Sequence, residues 1–166
     1  DANEAVLAAL RAGFRHVDTA QAYRNEETVG SAIHEWFGDD DSATYQASRA
    51  VENDLSPSDA SETSSSRRKD IWVTTKYIGD DVGPLESLKE SLKKLQLNYV
   101  DLYLVHRPEV LVGKREEWWR EFEKARELGL AKSIGVSNFQ QDDLQELLKI
   151  AKVKPAVNQV SRQEVQ

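Results

Sequence analysis

Cysteine is absent from the 166 residues, which excludes disulfides and thiolate chemistry. A reducing compartment is therefore allowed, and we expect a cytoplasmic protein. Positive net charge is lacking too: the formal net charge is -7 at pH 7, which argues against nucleic-acid binding because that function needs a basic face. No apolar run approaches the length needed to cross a membrane, and no secretory signal stands at the start. We therefore expect neither a nucleic-acid partner nor a membrane partner, and the composition leaves the oligomeric state open.

Apolar residues follow two alternating patterns along the chain, one with helical spacing and one of short runs rich in β-branched residues. The runs predict strands at residues 14–19, 71–76, 99–106, 132–137 and 156–160, and the helical patterns predict helices at 3–12, 26–37, from 84 onward, around 118–128 and around 144–148. Strands that alternate with helices form a parallel sheet. We expect one α/β domain over residues 1–166, with five parallel strands. A doubly wound sheet fits this count as well, but polar residues at successive strand ends favour part of a (β/α)8 TIM barrel.

Residues 39–69 interrupt this pattern. The segment opens on an acidic run, Asp39 to Asp41, continues through a serine-rich stretch and closes on a basic run that ends at Lys69. It is too polar to be buried, and connections between a helix and a strand usually have only a few residues. We expect a disordered surface insertion, since long loops close at a small entropic cost. A phosphorylated or partner-binding segment is the alternative.

Side chains able to do chemistry stand at or just after the carboxyl end of every predicted strand. They are Asp18 with Tyr23 in the following loop, Lys76, His106, Ser137 with Asn138, and Gln159. Each alone has a structural interpretation, such as a loop cap or a solvated strand end. Their shared position favours function, because active sites of parallel barrels form at the carboxyl ends of the strands. His16 lies within a strand and His34 within a helix, and we interpret both as structural.

A phenol, an ammonium, a carboxylate and an imidazole on one face suit proton donation to an oxygen. A free phenol is a poor acid at neutral pH, and a nearby ammonium stabilises its anion. A carboxylate holds that ammonium, and an imidazole can donate a hydrogen bond to a carbonyl. The set suits carbonyl reduction with hydride supplied by a cofactor. Only Asp18 and His106 qualify as metal ligands, so we expect no metal site. Ser137, Asn138 and Gln159 could hold a flat carboxamide such as that of nicotinamide.

Five segments resemble those of the aldo-keto reductase family, in the family's order. They are Gly13-Phe-Arg-His-Val-Asp18-Thr-Ala-Gln-Ala-Tyr23-Arg-Asn-Glu26, Val73-Thr-Thr-Lys76, Asp101-Leu-Tyr-Leu-Val-His106, Gly135-Val-Ser137-Asn138-Phe139 and Asn158-Gln159-Val160. The resemblance implies a (β/α)8 barrel that reduces aldehydes and ketones with NADPH, so that the partner is a small-molecule carbonyl substrate. It also implies four catalytic residues, Asp18, Tyr23, Lys76 and His106, and four cofactor-binding residues, Asp18, Ser137, Asn138 and Gln159.

The chain also departs from the family pattern. Five strands are predicted, whereas the family's barrel has eight. The strands that are absent here normally carry the groups that bind the cofactor's phosphates. We therefore keep two interpretations. The first is an NADPH-dependent reductase of aldehydes or ketones with Tyr23 as proton donor, and the second is a catalytically inactive reductase-like fragment or a regulatory or binding subunit. We expect the 166 residues by themselves to show no measurable reductase activity.

Overall fold

The computed structural model describes residues 2–38 and 66–160. The α-helices are α1 (Ala2–Arg11), α2 (Glu26–Phe37), α3 (Pro84–Leu95), α4 (Arg115–Glu127) and α5 (Gln141–Ile150). The strands are β1 (His16–Asp18), β2 (Trp72–Tyr77), β3 (Val100–Val105), β4 (Ala131–Ser137) and β5 (Asn158–Gln159). Short 3₁₀ helices cover Gln21–Tyr23, Ser66–Asp70 and Pro108–Leu111. Within these two ranges, no helix is long and apolar enough to cross a lipid bilayer.

The five strands form one parallel sheet in chain order, from β1 to β5. A sheet whose strands follow in chain order is the wall of a barrel, whereas a doubly wound sheet reverses its order at a switch point. The predicted α/β fold, with five parallel strands alternating with helices in a partial barrel, is therefore confirmed.

One face of the sheet is covered by helices through an aromatic layer. Tyr103 of β3 stacks on Phe122 of α4 with ring centroids 4.5 Å apart, and its hydroxyl donates to the Pro84 carbonyl oxygen of α3 at 3.0 Å. Trp119 stacks on Phe122 in turn, at 5.6 Å, and both side chains are fully buried. Offset or edge contacts of this kind add to the free energy gained by apolar burial. The layer fixes α3 and α4 against β3, the strand that leads to His106.

Helices α2 and α3 approach each other closely at a glycine. A Cβ added to Gly30 would lie 2.5 Å from the Leu95 carbonyl oxygen and within 2.7 Å of two further backbone atoms of Leu95. Pro84 opens α3 at its first turn, where its missing N–H costs nothing, and Gln96 ends it in the left-handed conformation, with φ 57°. At Gly30 the backbones of α2 and α3 therefore meet with no side chain between them.

The opposite face of the sheet is concave, and its two edges approach each other. Nε2 of Gln159 in β5 donates to Oδ2 of Asp18 in β1 at 3.0 Å, although three strands lie between β1 and β5. Only a strongly curled sheet allows this contact. The curl gathers the ends of all five strands around one space.

Both edge strands are shorter than predicted. Pairing between β1 and β2 begins with His16 opposite Trp72, so Phe14 lies outside the strand and is 66% exposed. The prediction of a buried strand that begins at Phe14 is wrong at that end, because no residue of β2 pairs with it. At the other edge, β5 covers only Asn158 and Gln159, and the preceding Ala156 N–H and Val157 carbonyl oxygen still form backbone hydrogen bonds with β4.

Most of the predicted insertion, residues 39–65, lies outside the described residues, and its disorder stays a prediction. Residues 66–69 differ from the expectation of a polar surface loop, since they belong to the 3₁₀ helix Ser66–Asp70. Arg68 is 6% exposed, and it donates from Nη2 to Asp101 Oδ2 at 2.8 Å and from Nη1 to the Ile71 carbonyl oxygen at 3.0 Å. The end of the segment therefore packs against the sheet, because the buried carboxylate of Asp101 offers Arg68 an ion-pair partner.

Candidate active site

The carboxyl ends of the strands bring the residues singled out by the sequence to one face. Asp18 ends β1, Lys76 lies one residue before the end of β2, and His106 follows β3 directly; Ser137 ends β4, with Asn138 after it, and Gln159 ends β5. Tyr23 ends the 3₁₀ helix after β1. The structure thus gathers these residues where parallel barrels carry their active sites.

The ammonium of Lys76 is held in the middle of this group. The residue is 1% exposed, and its Nζ donates to Asp18 Oδ1 and, at 3.0 Å, to the Thr19 carbonyl oxygen. The Asp18 side chain is 34% exposed, so the ion pair joins a buried cation to a partly solvated anion. A buried charge is costly unless it is paired and hydrogen-bonded, and these two oxygens meet that requirement.

Tyr23 presents its ring to Lys76 and His106. The Lys76 Nζ lies 5.1 Å from the centroid of the Tyr23 ring. The Tyr23 and His106 rings meet edge to face, with centroids 5.9 Å apart and an angle of 85° between their planes. Tyr23 is 50% exposed, so a small molecule in solvent can reach it while its ring contacts the ammonium and the imidazole.

The imidazole of His106 lies in surroundings that disfavour its positive charge. Burial lowers the pKa of His106 below its ordinary value of 6.5, the charges of Lys76 and Arg107 lower it further, and Asp18 opposes the change. The neutral ring is therefore the form present at pH 7. A neutral imidazole keeps one N–H donor, which suits it to donate a hydrogen bond to a carbonyl oxygen.

Ser137, Asn138 and Gln159 form a hydrogen-bonded group beside His106. The Ser137 hydroxyl donates to the Gln159 carbonyl oxygen at 2.7 Å, and the Asn138 amide donates from Nδ2 to the His106 carbonyl oxygen at 3.2 Å. Asn138 has φ 60°, in the left-handed region that asparagine tolerates better than most residues. This conformation turns the chain at the end of β4 and brings the Asn138 side chain to the end of β3.

This group offers one acceptor that fits a carboxamide. Nε2 of Gln159 donates to Asp18, whereas no donor from the described residues reaches its side-chain oxygen Oε1. The NH₂ of a carboxamide needs an acceptor of this kind. The Ser137 hydroxyl and the Asn138 NH₂ are donors of the kind that a carboxamide oxygen needs, but they already donate to the Gln159 carbonyl oxygen, the His106 carbonyl oxygen and the Ser137 hydroxyl oxygen. The residues present therefore fit the NH₂ of the nicotinamide carboxamide, and its oxygen would have to take over one of these internal donors.

Asn25 and Thr19 have contacts that the sequence did not indicate. Asn25 occupies the N-cap position of α2, but its side chain makes no capping hydrogen bond. Instead its Oδ1 accepts from the Thr19 hydroxyl at 2.8 Å, and Thr19 supplies the carbonyl oxygen that binds Lys76. No pattern in the sequence distinguishes this contact from an ordinary helix cap.

Glu26 is a further residue that sequence reasoning missed, although a signal was present. It is 3% exposed and occupies the same helical stripe as the buried residues Val29, Ile33 and Phe37. An acidic residue on an apolar stripe predicts a buried carboxylate with specific hydrogen-bond partners.

The other two histidines lie outside this group. Nε2 of His16 is 2.9 Å from the Thr74 hydroxyl oxygen, and Nε2 of His34 is 2.7 Å from the Gln96 carbonyl oxygen. These contacts fit the structural interpretation of both residues. In the described part of the chain, no three His, Cys, Asp or Glu side chains converge in a way that could hold a metal ion.

Comparison with known proteins gives a consistent set of relatives. A sequence model of the aldo/keto reductase family matches residues 1–165. Glyoxal reductase of Bacillus subtilis is 38% identical over 163 residues, which cover 96% of this chain and 48% of that protein. Methylglyoxal reductase of Escherichia coli is 38% identical over 157 residues, which cover 94% and 47%. The chain thus spans about half the length of the curated relatives it matches.

Solved structures give the same relationship. An aldo/keto reductase from Brucella melitensis superposes with a TM-score of 0.70 at 39% identity, covering 96% of this chain and 53% of its own. An aldo-keto reductase from Bombyx mori, solved in complex with NADP, gives 0.69 at 34% identity, covering 96% and 47%. The sequence comparison and the structure comparison therefore lead to the same family.

Proposed function

Because the chain belongs to the aldo/keto reductase family, we propose that it supplies the proton donor and the nicotinamide-facing groups of a site that reduces aldehydes or ketones to alcohols. The observation that carries the proposal is the position of Tyr23, whose ring contacts His106 and lies 5.1 Å from the buried Lys76 ammonium. A half-exposed phenol next to a desolvated cation is a proton donor that a substrate can reach.

In this proposal Tyr23 gives its proton to the substrate carbonyl oxygen as that oxygen gains negative charge. The O–H bond of the phenol breaks and the O–H bond of the alcohol forms. The ammonium of Lys76 stabilises the charge left on the phenol oxygen, and it does so strongly because Lys76 is nearly excluded from water. Asp18 holds the ammonium in position through the ion pair.

His106 has a separate task. Its lowered pKa leaves the imidazole neutral at pH 7, so it donates a hydrogen bond to the carbonyl oxygen without competing with Tyr23 as the acid. The edge-to-face contact between the two rings supports the proposal that both residues act on the same carbonyl oxygen.

We propose NADPH as the cofactor, with Asp18 among the residues that bind it and with Ser137, Asn138 and Gln159 holding its nicotinamide carboxamide. When bound, NADPH supplies the hydride. Gln159 Oε1, which no donor from the described residues reaches, supports this assignment from the structure, and the NADP complex of the Bombyx mori relative supports it from the family. A cytoplasmic location, favoured by the absence of cysteine, is part of the same proposal.

A chimera tests this function directly. Residues 1–160 would replace the matched region of the Bacillus subtilis glyoxal reductase, so that the relative supplies the rest of the barrel. We expect it to oxidise NADPH when given methylglyoxal or an aromatic aldehyde. These substrates are chosen because relatives are named for glyoxal and methylglyoxal. A folded chimera that binds NADPH but reduces neither substrate would contradict the proposal.

Assays on the 166-residue chain alone test whether it binds NADPH or reduces a carbonyl without the rest of a barrel. Ser137, Asn138 and Gln159 provide a few hydrogen bonds worth about 1 kcal/mol each, far below the roughly 8 kcal/mol of micromolar affinity. We therefore expect no micromolar NADPH binding and no reduction by the isolated chain. Micromolar binding without reduction would favour a binding or regulatory subunit. Binding with reduction would show that the chain completes its site without a relative's strands.

A further inference from the structure

The buried carboxylate of Glu26 takes no part in the proposed chemistry, yet both of its oxygens are used. Oε1 accepts from the Thr75 hydroxyl at 2.7 Å, and Oε2 accepts from the Ser91 hydroxyl at 3.2 Å. No lysine, arginine or histidine among the described residues forms an ion pair with it. Glu26 lies in the first turn of α2, where the helix dipole favours negative charge. It thereby links α2 to β2 and to α3.

Gln21 continues this set of contacts toward the site. Its Nε2 donates to the Ser91 hydroxyl oxygen at 3.0 Å and to the Ser87 carbonyl oxygen at 3.1 Å. Its Oε1 accepts from the Ile78 backbone N–H at 3.2 Å. Gln21 is the first residue of the 3₁₀ helix that ends at Tyr23. A single side chain therefore joins this 3₁₀ helix both to α3 and to the segment that follows β2.

Tyr23 depends on its backbone for position. No hydrogen bond to its hydroxyl comes from the described residues, and its ring contacts are those with Lys76 and His106. The turn is closed by the N–H of Tyr23, which donates to the Ala20 carbonyl oxygen at 3.0 Å. Whatever holds the 3₁₀ helix therefore also holds the phenol.

Gln21, Glu26, Ser91 and Thr75 form a network of side-chain hydrogen bonds. This network reaches the chain neighbours of both Tyr23, the proposed proton donor, and Lys76, the cation beside it. Thr75 directly precedes Lys76 in β2, and Gln21 lies two residues before Tyr23. We infer that Gln21 and Glu26 are positioning residues, which fix the Tyr23 phenol relative to the Lys76 ammonium. This inference rests on the proposed function of Tyr23. Proton transfer needs heavy atoms about 2.6–3.2 Å apart, and a displacement of about 1 Å can reduce a rate about a hundredfold.

Two measurements test the inference, and the first needs no catalysis. Amide hydrogen exchange is followed in the 166-residue chain for Gln21→Ala, Glu26→Ala and Glu26→Gln. The matched control is Glu123→Ala, which removes a partly buried carboxylate that accepts from the Lys152 and Val153 N–H groups. We expect the amides of Tyr23 and Arg24 to exchange faster in Gln21→Ala and Glu26→Ala than in the control. Exchange at control rates in both variants would overturn the inference.

The second measurement is turnover in the chimera, at a temperature at which every variant is folded. Gln21→Ala and Glu26→Ala should lower kcat about ten- to a hundredfold with little change in KM, because they misplace the acid without removing a binding group. Glu26→Gln keeps the shape of the side chain and one acceptor oxygen, but its NH₂ must donate to a hydroxyl that now donates to Glu26. It should therefore lose less kcat than Glu26→Ala. Losses of the same size in Glu123→Ala would mean that the network only stabilises the fold. If the unaltered chimera reduces nothing, the proposed function fails and the exchange data alone decide whether the network holds the turn.

Discussion

The ion pair between Lys76 and Asp18 is unequal, so its two halves should tolerate substitution differently. The Lys76 side chain is 2% exposed, whereas that of Asp18 is 34% exposed. Asp18→Asn would leave a buried ammonium with neutral acceptors, namely the new amide oxygen and the Thr19 carbonyl oxygen. Lys76→Met would leave a carboxylate that water reaches and that still accepts from Gln159 at 3.0 Å. Replacing Asp18, which leaves the buried ammonium without its counter-ion, should therefore cost more stability than replacing Lys76.

The exposed fractions of the two side chains set how much stability each substitution should cost. Removing one partner of a buried pair costs about 3–5 kcal/mol of stability, because the other charge stays buried without compensation. For Asp18→Asn we expect about 3 kcal/mol, the lower end of that range, since the Thr19 carbonyl oxygen still accepts. For Lys76→Met we expect about 1 kcal/mol, because solvent compensates the carboxylate and methionine fills much of the lysine volume.

Urea unfolding of the chain at neutral pH, followed by circular dichroism, measures both losses. With an m-value of about 2 kcal/mol/M, a difference of about 2 kcal/mol separates the two midpoints by about 1 M. Lys89→Met, at an exposed ion pair with Glu86, is the control and should change stability by less than about 0.5 kcal/mol. A larger loss for Lys76→Met than for Asp18→Asn would refute the reasoning from burial.

Two further outcomes follow from the helix contact and from His106. Gly30→Ala should destabilise the chain by about 1–3 kcal/mol in spite of its better helix propensity, since the new methyl group meets the Leu95 backbone at 2.5 Å. Ser31→Ala is the exposed neighbouring control, and equal midpoints for the two variants would contradict the close contact. His106 should titrate by NMR below its ordinary pKa of 6.5. Because the unfolded chain then binds more protons than the folded one, the stability due to neutral His106 is complete above pH 6.5 and is lost as pH falls through the folded pKa. A titration midpoint above 6.5 would show that burial does not dominate.

Helix α2 and the strand ends show what the sequence was able to predict. The bounds of α2, residues 26–37, follow from an apolar stripe that begins after Asn25 and ends at a glycine, and the structure has the same bounds. The grouping of Lys76 and His106 on one face follows from the common direction of parallel strands. The contact between Gln159 and Asp18 does not follow from direction alone, because it depends on how tightly the sheet curls.

The partners of Gln21, Glu26 and Arg68 could not be predicted from the sequence, although the position of Glu26 on the apolar stripe of α2 indicates a buried carboxylate. Their partners are remote in sequence: Thr75 is 49 residues from Glu26, and Ser91 is 70 residues from Gln21. A polar residue in a loop or in a first helical turn has an ordinary local explanation, as a turn former or as a partner of the helix dipole. Only packing between distant elements decides which partners these side chains meet.

Tyr23→Phe in the chimera is the most direct test of the proposed chemistry. Phenylalanine keeps the ring beside Lys76 and His106 and removes only the hydroxyl group, so NADPH affinity, measured by fluorescence titration, should be unchanged. Turnover of methylglyoxal should fall by about a hundredfold or more, the usual contribution of a positioned acid. If the variant binds NADPH and keeps most of the turnover of the unaltered chimera, Tyr23 is not the proton donor and the central claim is wrong.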